Sequence, residues 1–254
     1  MTSAGHHVIM QGADPVGPSA RDYPQQGLVR LWDAIENAGW GTHAENPNRW
    51  IDCVIGAALD TADFSSIISL PRFLPSSVYF DGVDNALTAN NPLAGSYSEF
   101  SIQIPLSTQS GTTTYWVPFT TYTGTSSSER IQINVEGTPR VHIVQLRGIQ
   151  TVNIGSNSLA DKTGSITLVW TSSNSKLTVW FKGQLKGQMN MSSFVANTLV
   201  FTKPQWNIGG DFQVARDSFF CGDIFGLRIY NRALTDAEIV QSAQLDAARF
   251  SIPA

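Results

Sequence analysis

Short runs in which apolar and polar residues alternate fill most of this chain, and that alternation restricts its main structure to antiparallel sheet. The clearest runs are 28–32, 98–104, 113–121, 131–135, 141–146, 166–170 and 177–181. Gly, Pro, Asn and Ser clusters separate them, which is the spacing of a sandwich or barrel and not of alternating strands and helices. Ser172, Ser173, Asn174 and Ser175 join the last two runs as a hairpin. Thr167, Val169, Leu177 and Val179 are expected to pair across one face of it. No repeat of the length used by solenoids or propellers is present.

One helix start stands near the end. Thr235, Asp236, Ala237 and Glu238 have the spacing of a capping box, in which the Thr hydroxyl accepts from the Glu amide and the carboxylate reaches back. Ile239, Ala243 and Leu245 supply an apolar face, and a helix of about three turns is expected. At the other end, residues 1–26 hold Pro15, Pro18 and Pro24 and show neither period. The expected organisation is an extended arm over 1–26 and one domain over 27–254, since all-β sandwiches reach this length as a single unit. Such an arm is either a loose terminus or a segment that orders only against a neighbouring subunit, and the sequence leaves the two open.

Charge removes several functions. Charged residues make up 14% of the 254, against about 25% in an average globular domain, so uncharged polar groups must cover the surface. Ser and Thr runs such as 112–114 and 126–128 supply them. The formal net charge is −4 and the Lys and Arg residues are scattered. No basic stripe is available to neutralise a row of phosphates, and nucleic acid is not an expected partner. No window approaches the ~18 apolar residues that span a bilayer, and residues 1–23 contain no apolar export segment. Cys53 and Cys221 are too few for a disulfide framework, and the sequence leaves open whether they bridge.

The run Arg228, Ile229, Tyr230, Asn231, Arg232, Ala233, Leu234, with Phe220 to Gly226 before it, resembles the last strand and following helix turn of laminin-G-like jelly rolls. Residues 27–33 resemble that family's opening strand, especially as bacteriophage and gut-bacterial members write it, with Trp50 after a long turn. Phe80, Asp81 and Gly82 resemble its Phe-Asp-Gly turn, 170–187 its hairpin, and Asn207, Ile208 and Gly209 the strand after it. The resemblance covers 27–239 in the family's order. It implies an all-β fold: an antiparallel jelly-roll β-sandwich, concanavalin A-like, with an extended N-terminal arm and a short C-terminal helix.

Parity on the last strand puts Leu227, Ile229 and Asn231 on one face and Arg228 and Tyr230 on the other, giving a core face and an amphipathic face. The family's acidic pair is replaced by Phe225 and Gly226, and the aspartate of its hairpin by Lys182. Calcium, which some relatives hold, would then have only Asp81, Asp84 and Asp223 as obvious carboxylate ligands, and it takes about six to eight oxygens. No metal and no cofactor are expected. Asp81 and Asp84 are expected to fix a tight turn through the backbone.

The same sandwich carries glycosidase activity in other families, and that chemistry needs two carboxyl groups about 5 to 9.5 Å apart. Residues i and i+2 of one strand share a face at roughly that spacing. Of the 20 acidic residues only Asp236 and Glu238 stand two apart, and they belong to the helix cap. His6, His7, His43 and His142 are too dispersed for a metal motif, and His142, between Val141 and Ile143, reads as a solvent-facing strand residue. No nucleophile elbow or phosphate-cradling loop is present. No catalytic residue is assigned, and the chain is expected not to be an enzyme.

Sugar-binding sandwiches place exposed aromatic faces against pyranose rings. Trp32, Trp170, Trp180 and Trp206 lie in or beside core strands and are expected to pack. Trp40, in a glycine-rich loop with His43 beside it, is the expected ligand contact, and Tyr115, Trp116 and Tyr122 form a second group. A chain that opens on Met1 without an export signal, and ends soon after the resemblance, is expected to be a virion component released by lysis: a bacteriophage capsid decoration, head-fibre or tail-associated protein. Its expected partners are other virion or capsid subunits, docked through residues 1–26, and surface glycans; self-association is left open. The competing expectation is a free-standing lectin domain.

Overall fold

The computed structural model describes residues 8–9, 18–36, 49–55, 64–66, 69–90, 93, 95–109, 117–122, 130–135, 140–145, 148–154, 163–190, 199–201, 205–211 and 218–254. Two antiparallel sheets face each other. The first has nine strands and runs from Gln184–Asn190 through Lys176–Phe181 and Gly164–Thr171 to the long strand Glu99–Thr108. Beyond that strand the sheet divides. Cys221–Ile224 pairs with its end at Leu106 to Thr108 and leads to Val78–Asp81 and Arg72–Phe73. Gly226–Tyr230 pairs with Ser101 to Gln103 and leads to Leu28–Asp33. The second sheet has eight strands in the order Gly148–Asn153, Arg140–Gln145, Arg130–Asn134, Phe119–Tyr122, Gln205–Ile208, Leu87–Asn90, Phe64–Ser66 and Arg49–Trp50. This is the jelly-roll sandwich that the resemblance implies, built from the antiparallel strands that the alternating runs predict.

Alternation explains which side chains fill the space between the sheets. Phe100, Ile102, Ile104 and Leu106 face inward from the long strand, and Leu168, Trp170, Leu177 and Val179 from its neighbours. Phe119, Ile131, Ile133, Trp206 and Ile208 meet them from the second sheet. Phe119 and Trp206 touch edge to face with ring centroids 5.6 Å apart, a geometry that adds about 0.5–1.5 kcal/mol beyond the burial itself.

The hairpin at 172–175 forms, but in a different register from the one expected. Leu168 stands opposite Val179 and Trp170 opposite Leu177, while Thr167 and Val169 stand opposite Trp180 and Thr178. The connection decides this: a 3-10 turn over Ser172–Asn174, followed by Ser175 at φ 50°, sets Thr171 opposite Lys176. Thr167 and Val169 therefore occupy the outer face, and the inner face is the more apolar one.

The helix Asp236–Phe250 has 15 residues, about four turns and not three. Its capping box is present: Thr235 Oγ1 accepts from the Glu238 amide at 3.3 Å, and Glu238 Oε2 accepts from the Thr235 amide at 2.9 Å. The buried face is Ile239, Ser242, Ala243, Asp246 and Phe250; Leu245 is only partly buried. An acidic residue thus sits in the helix stripe that packs on the outer face of the first sheet.

Arg228 explains that placement. The strand face expected to be amphipathic is covered by the helix, and Gly226–Tyr230 is buried along its whole length. The Arg228 guanidinium forms a two-pronged pair with Asp246, at 2.9 and 2.6 Å, with both side chains 0% exposed. Tyr23 and Ser165 donate their hydroxyls to the same carboxylate, and Arg228 Nε donates to Gln103 Oε1 at 3.0 Å. The Tyr23 ring lies 3.9 Å from the guanidinium carbon. Burial, together with the Asp246 charge, holds the Tyr23 hydroxyl well above the usual phenol range, so it stays a donor.

Tyr23 belongs to a segment that the sequence assigns to the arm. Residues 18–26 instead lie against the helix: Ser19 caps a single turn at Ala20–Asp22, Ala20 N donates to Glu36 Oε1 at 2.9 Å, and Gln241 Nε2 donates to Asp22 O. These contacts come from residues far along the chain, so local periodicity carries no trace of them. Val8–Ile9 pairs with Val54–Ile55; the rest of 1–17 lies outside the described residues.

The cap supplies a pH-dependent increment of stability. Two guanidinium hydrogen bonds from Arg232 and the Thr235 bonds draw the Glu238 carboxyl down to about 2. A depressed carboxyl contributes its full stabilisation above its unfolded value near 4.5 and loses it as pH falls towards 2. Glu238→Gln is expected to flatten the acid limb of the stability curve between those values, and Thr235→Ala to lower stability by about 1 kcal/mol at neutral pH. Urea titrations across that pH range check both.

Candidate functional site

Trp40 and His43, the ligand contacts expected from the sequence, lie outside the described residues, as do Tyr115 and Trp116. The core assignment holds for Trp32, Trp170 and Trp206, which are buried with Trp50, while Trp180 is half-buried. Trp50 Nε1 donates to Asp33 O and Trp170 Nε1 to Tyr97 O, so both rings are anchored in the frame. Among the aromatic residues whose side chains are described none is exposed; the side chain of Tyr122 is not among them.

The carboxylates of the first sheet and its turns are engaged by the protein. Asp81 Oδ1 accepts from the Val83 and Asp84 amides and fixes the turn through the backbone as expected, whereas Asp84 accepts from the Ser69 hydroxyl and the Asn85 side chain. Asp223 accepts from Ser77 and Gln109, and Asp52 from Arg30, Leu31 N and Val54 N. Asp33 and Glu36 hold Arg249. Asp246 is sealed under the helix. Among the described residues, no three His, Cys, Asp or Glu side chains converge as a metal site. Cys53 and Cys221 are buried and are not joined in a disulfide, and burial pushes the Cys221 thiol up, away from thiolate chemistry. Phe225, at one of the replaced acidic positions, stacks on Phe250 at 5.2 Å.

A polar feature of another kind crosses the second sheet. The cross-strand register links Arg49 to Ser65, Ser65 to Thr88, Thr88 to Asn207, Asn207 to Thr120, Thr120 to Gln132, Gln132 to His142 and His142 to Thr151. One polar residue from each of the eight strands thus stands in a single unbroken row. At ~4.8 Å between strands the row is about 34 Å long. Phe119, Ile131, Ile133, Trp206 and Ile208 are the inward-facing neighbours in sequence, so pleat alternation puts Thr120, Gln132 and Asn207 on the outer face.

Two atoms at the centre of this row have no hydrogen-bond partner. Thr120 Oγ1 and Asn207 Oδ1 are buried and unpartnered, and their residues are 0% and 1% exposed. An unmade hydrogen bond of this kind costs about 1–3 kcal/mol each. Thr121 Oγ1, on the core-facing positions opposite Trp206, is another. Towards one edge the row opens: Gln132 is 9% exposed, and Thr151 and Asn153 are exposed. Hydroxyls and amides in such a line can exchange hydrogen bonds with a chain of hydroxyl groups, and none of them is a nucleophile with a base beside it. The sequence signal for the row is the polar half of each alternating run, such as Gln132 between Ile131 and Ile133, which a search for exposed aromatics passes over.

The model of the family described as the concanavalin A-like lectin/glucanases superfamily matches residues 77–240. No curated protein sequence matches the chain. Among solved structures, the chain is similar to a Trypanosoma rangeli sialidase in complex with 2,3-difluorosialic acid, with 13% identity, a TM-score of 0.61 and coverage of 91% of this chain and 36% of the enzyme. It is also similar to domain 4 of AbnA, a GH43 extracellular arabinanase from Geobacillus stearothermophilus in complex with arabinotriose, with 15% identity, a TM-score of 0.55, and coverage of 87% of this chain and 100% of that domain. A third is the CBM40 of the Ruminococcus gnavus IT-sialidase bound to alpha2,3 sialyllactose, with 12% identity, a TM-score of 0.50, and coverage of 66% and 96%. The chain spans about a third of the length of the sialidases it matches. At these identities the likeness is one of fold.

Proposed function

We propose, since the chain belongs to the concanavalin A-like lectin/glucanases superfamily, that it is a non-catalytic module that binds a glycan on the outer face of its second sheet. The observation that carries this is the continuous polar row, one residue from each of the eight strands, which meets solvent at Thr151.

A binding role is favoured over hydrolysis by the composition of the same sheet. None of its eight strands contains an Asp or Glu, so no pair of carboxyl groups can be presented from them at the spacing glycoside hydrolysis requires. The carbohydrate ligands of the arabinanase domain and of the CBM40 belong to those proteins; here they support the choice of ligand class. A second reading, a virion component docking through its amino-terminal residues, is supported by the resemblance of 27–33 to bacteriophage members, and mass spectrometry of purified virions decides it.

The test is a glycan array followed by calorimetry and product analysis. The expected result is micromolar binding to a defined glycan, recovery of the oligosaccharide intact, and about tenfold weaker binding by Gln132→Ala, the loss of roughly one ligand hydrogen bond. Release of sugar in proportion to protein, or no binding to any glycan, would refute the proposal.

A further inference from the structure

We infer that the module recognises the end of a glycan chain and not its interior; this rests on the binding face proposed above. The exposure of the polar row is what limits the ligand. Its central members, Asn207 and Thr120, are 1% and 0% exposed, so they are covered and a sugar cannot touch their side chains. Gln132, on the strand next to Thr120, is 9% exposed, and Thr151, two strands further on, is exposed. On the other side of the covered stretch Thr88 is half-buried and donates its hydroxyl to Trp206 O. A polymer laid along the row would have to pass over that cover, out of hydrogen-bonding reach of the residues beneath it.

The open end has the build of a terminal subsite. Gly148–Asn153 is the edge strand of the second sheet. Val152 turns inward to the core, and Thr151 and Asn153 on either side of it turn outward and are exposed. Their side chains share a face at roughly 6.5–7 Å, a hydroxyl beside an amide, and together they offer donors and acceptors to the hydroxyl groups of a sugar ring. From Gln132 to Thr151 is two strand spacings, so the accessible part is about 10 Å of the ~34 Å row. Past Thr151 the sheet has no further strand. A chain entering there brings its end to the row and leaves the rest outside. An interior binder needs a groove open at both ends, so that the chain can leave in both directions; this row is open at its edge and covered at its centre.

The test is a glycan array in which each linear chain, arabinan, xylan, β-1,4-glucan and sialylated lactosamine among them, is present as its di-, tetra- and octasaccharide and as the polymer. Calorimetry on the full protein with the series that binds then gives the stoichiometry. One module per glycan chain is expected at every length, with affinity per chain constant within about twofold from tetrasaccharide to polymer. The double variant Thr151→Ala with Asn153→Ala is expected to bind at least about tenfold more weakly, the loss of one ligand hydrogen bond or more. Its thermal unfolding midpoint is expected to stay unchanged, because both side chains are exposed. A number of modules per chain that grows with chain length overturns the inference and leaves the glycan-binding proposal standing. Full-strength binding by the double variant overturns it as well. Absence of binding anywhere on the array overturns both. If the double variant does not fold, the stoichiometry of the unmodified protein decides alone.

Discussion

Replacing Arg228 with alanine is expected to destabilise the fold by about 3–5 kcal/mol, because it leaves the Asp246 carboxylate in a sealed site with no cation. Total stabilities of domains are about 5–15 kcal/mol, so the loss should be plain in a urea titration. The physical point is the asymmetry of a buried pair. Forming it sacrifices the hydration of two ions, whereas breaking it strands one of them. The companion experiment exploits this: Arg228→Met combined with Asp246→Leu removes both charges, and most of the lost stability is expected to return. Recovery will be incomplete, because Tyr23 and Ser165 lose the acceptor for their hydroxyls. A loss below about 1 kcal/mol in the single variant would mean that water reaches the pair, contrary to the full burial of both side chains.

Gly222→Ala is expected to be comparably severe, about 3–5 kcal/mol, through backbone strain and overpacking together. Gly222 adopts φ +150°, and a Cβ there would lie 2.2 Å from Ser107 O and 3.0 Å from Thr108 Cα. Both are atoms of the neighbouring strand's main chain, which cannot turn aside as a flexible side chain would. The strand is held on its other edge as well, where Gly222 stands opposite Phe80. The close approach lies where the strands from 78, 99 and 221 meet, so the first sheet must open for the methyl to fit. A thermal midpoint within a degree or two of the parent would show that the strands are looser than this geometry.

Much of the frame is legible in the sequence. The alternating runs give the antiparallel strands, the resemblance at Arg228 to Leu234 gives the sandwich and its closing strand, and Thr235 with Glu238 gives the helix start. What is not legible is fixed by partners distant in sequence. Parity correctly separates Arg228 and Tyr230 from Leu227 and Ile229, but it cannot tell a solvated face from one covered by a third layer. Asp246 offers the missing signal: it shares a helical stripe with Ile239, Ala243 and Phe250, and an acid among core positions implies a buried cation. Tyr23 carries no such signal, because its partner lies 223 residues away. The hairpin register follows from the conformation of Ser175, a serine at positive φ, which composition does not announce.

The candidate site follows the same division. Thr120, Gln132 and His142 are each visible as one half of a local alternation, yet the alignment of the row across eight strands is a property of register. Register is set by turns and pairings and not by any strand alone. A search for exposed tryptophans leads towards Trp40, whereas the polar residues aligned by register point to the sheet itself.

The most direct measurement is a backbone amide NMR titration of the full chain with the glycan selected by the array. Shift changes are expected to centre on Phe119–Tyr122, Arg130–Asn134, Gly148–Asn153 and Gln205–Ile208, with the helix Asp236–Phe250 silent. Changes confined to the helix and residues 18–26, or to the turn at 81–85, would contradict the proposal.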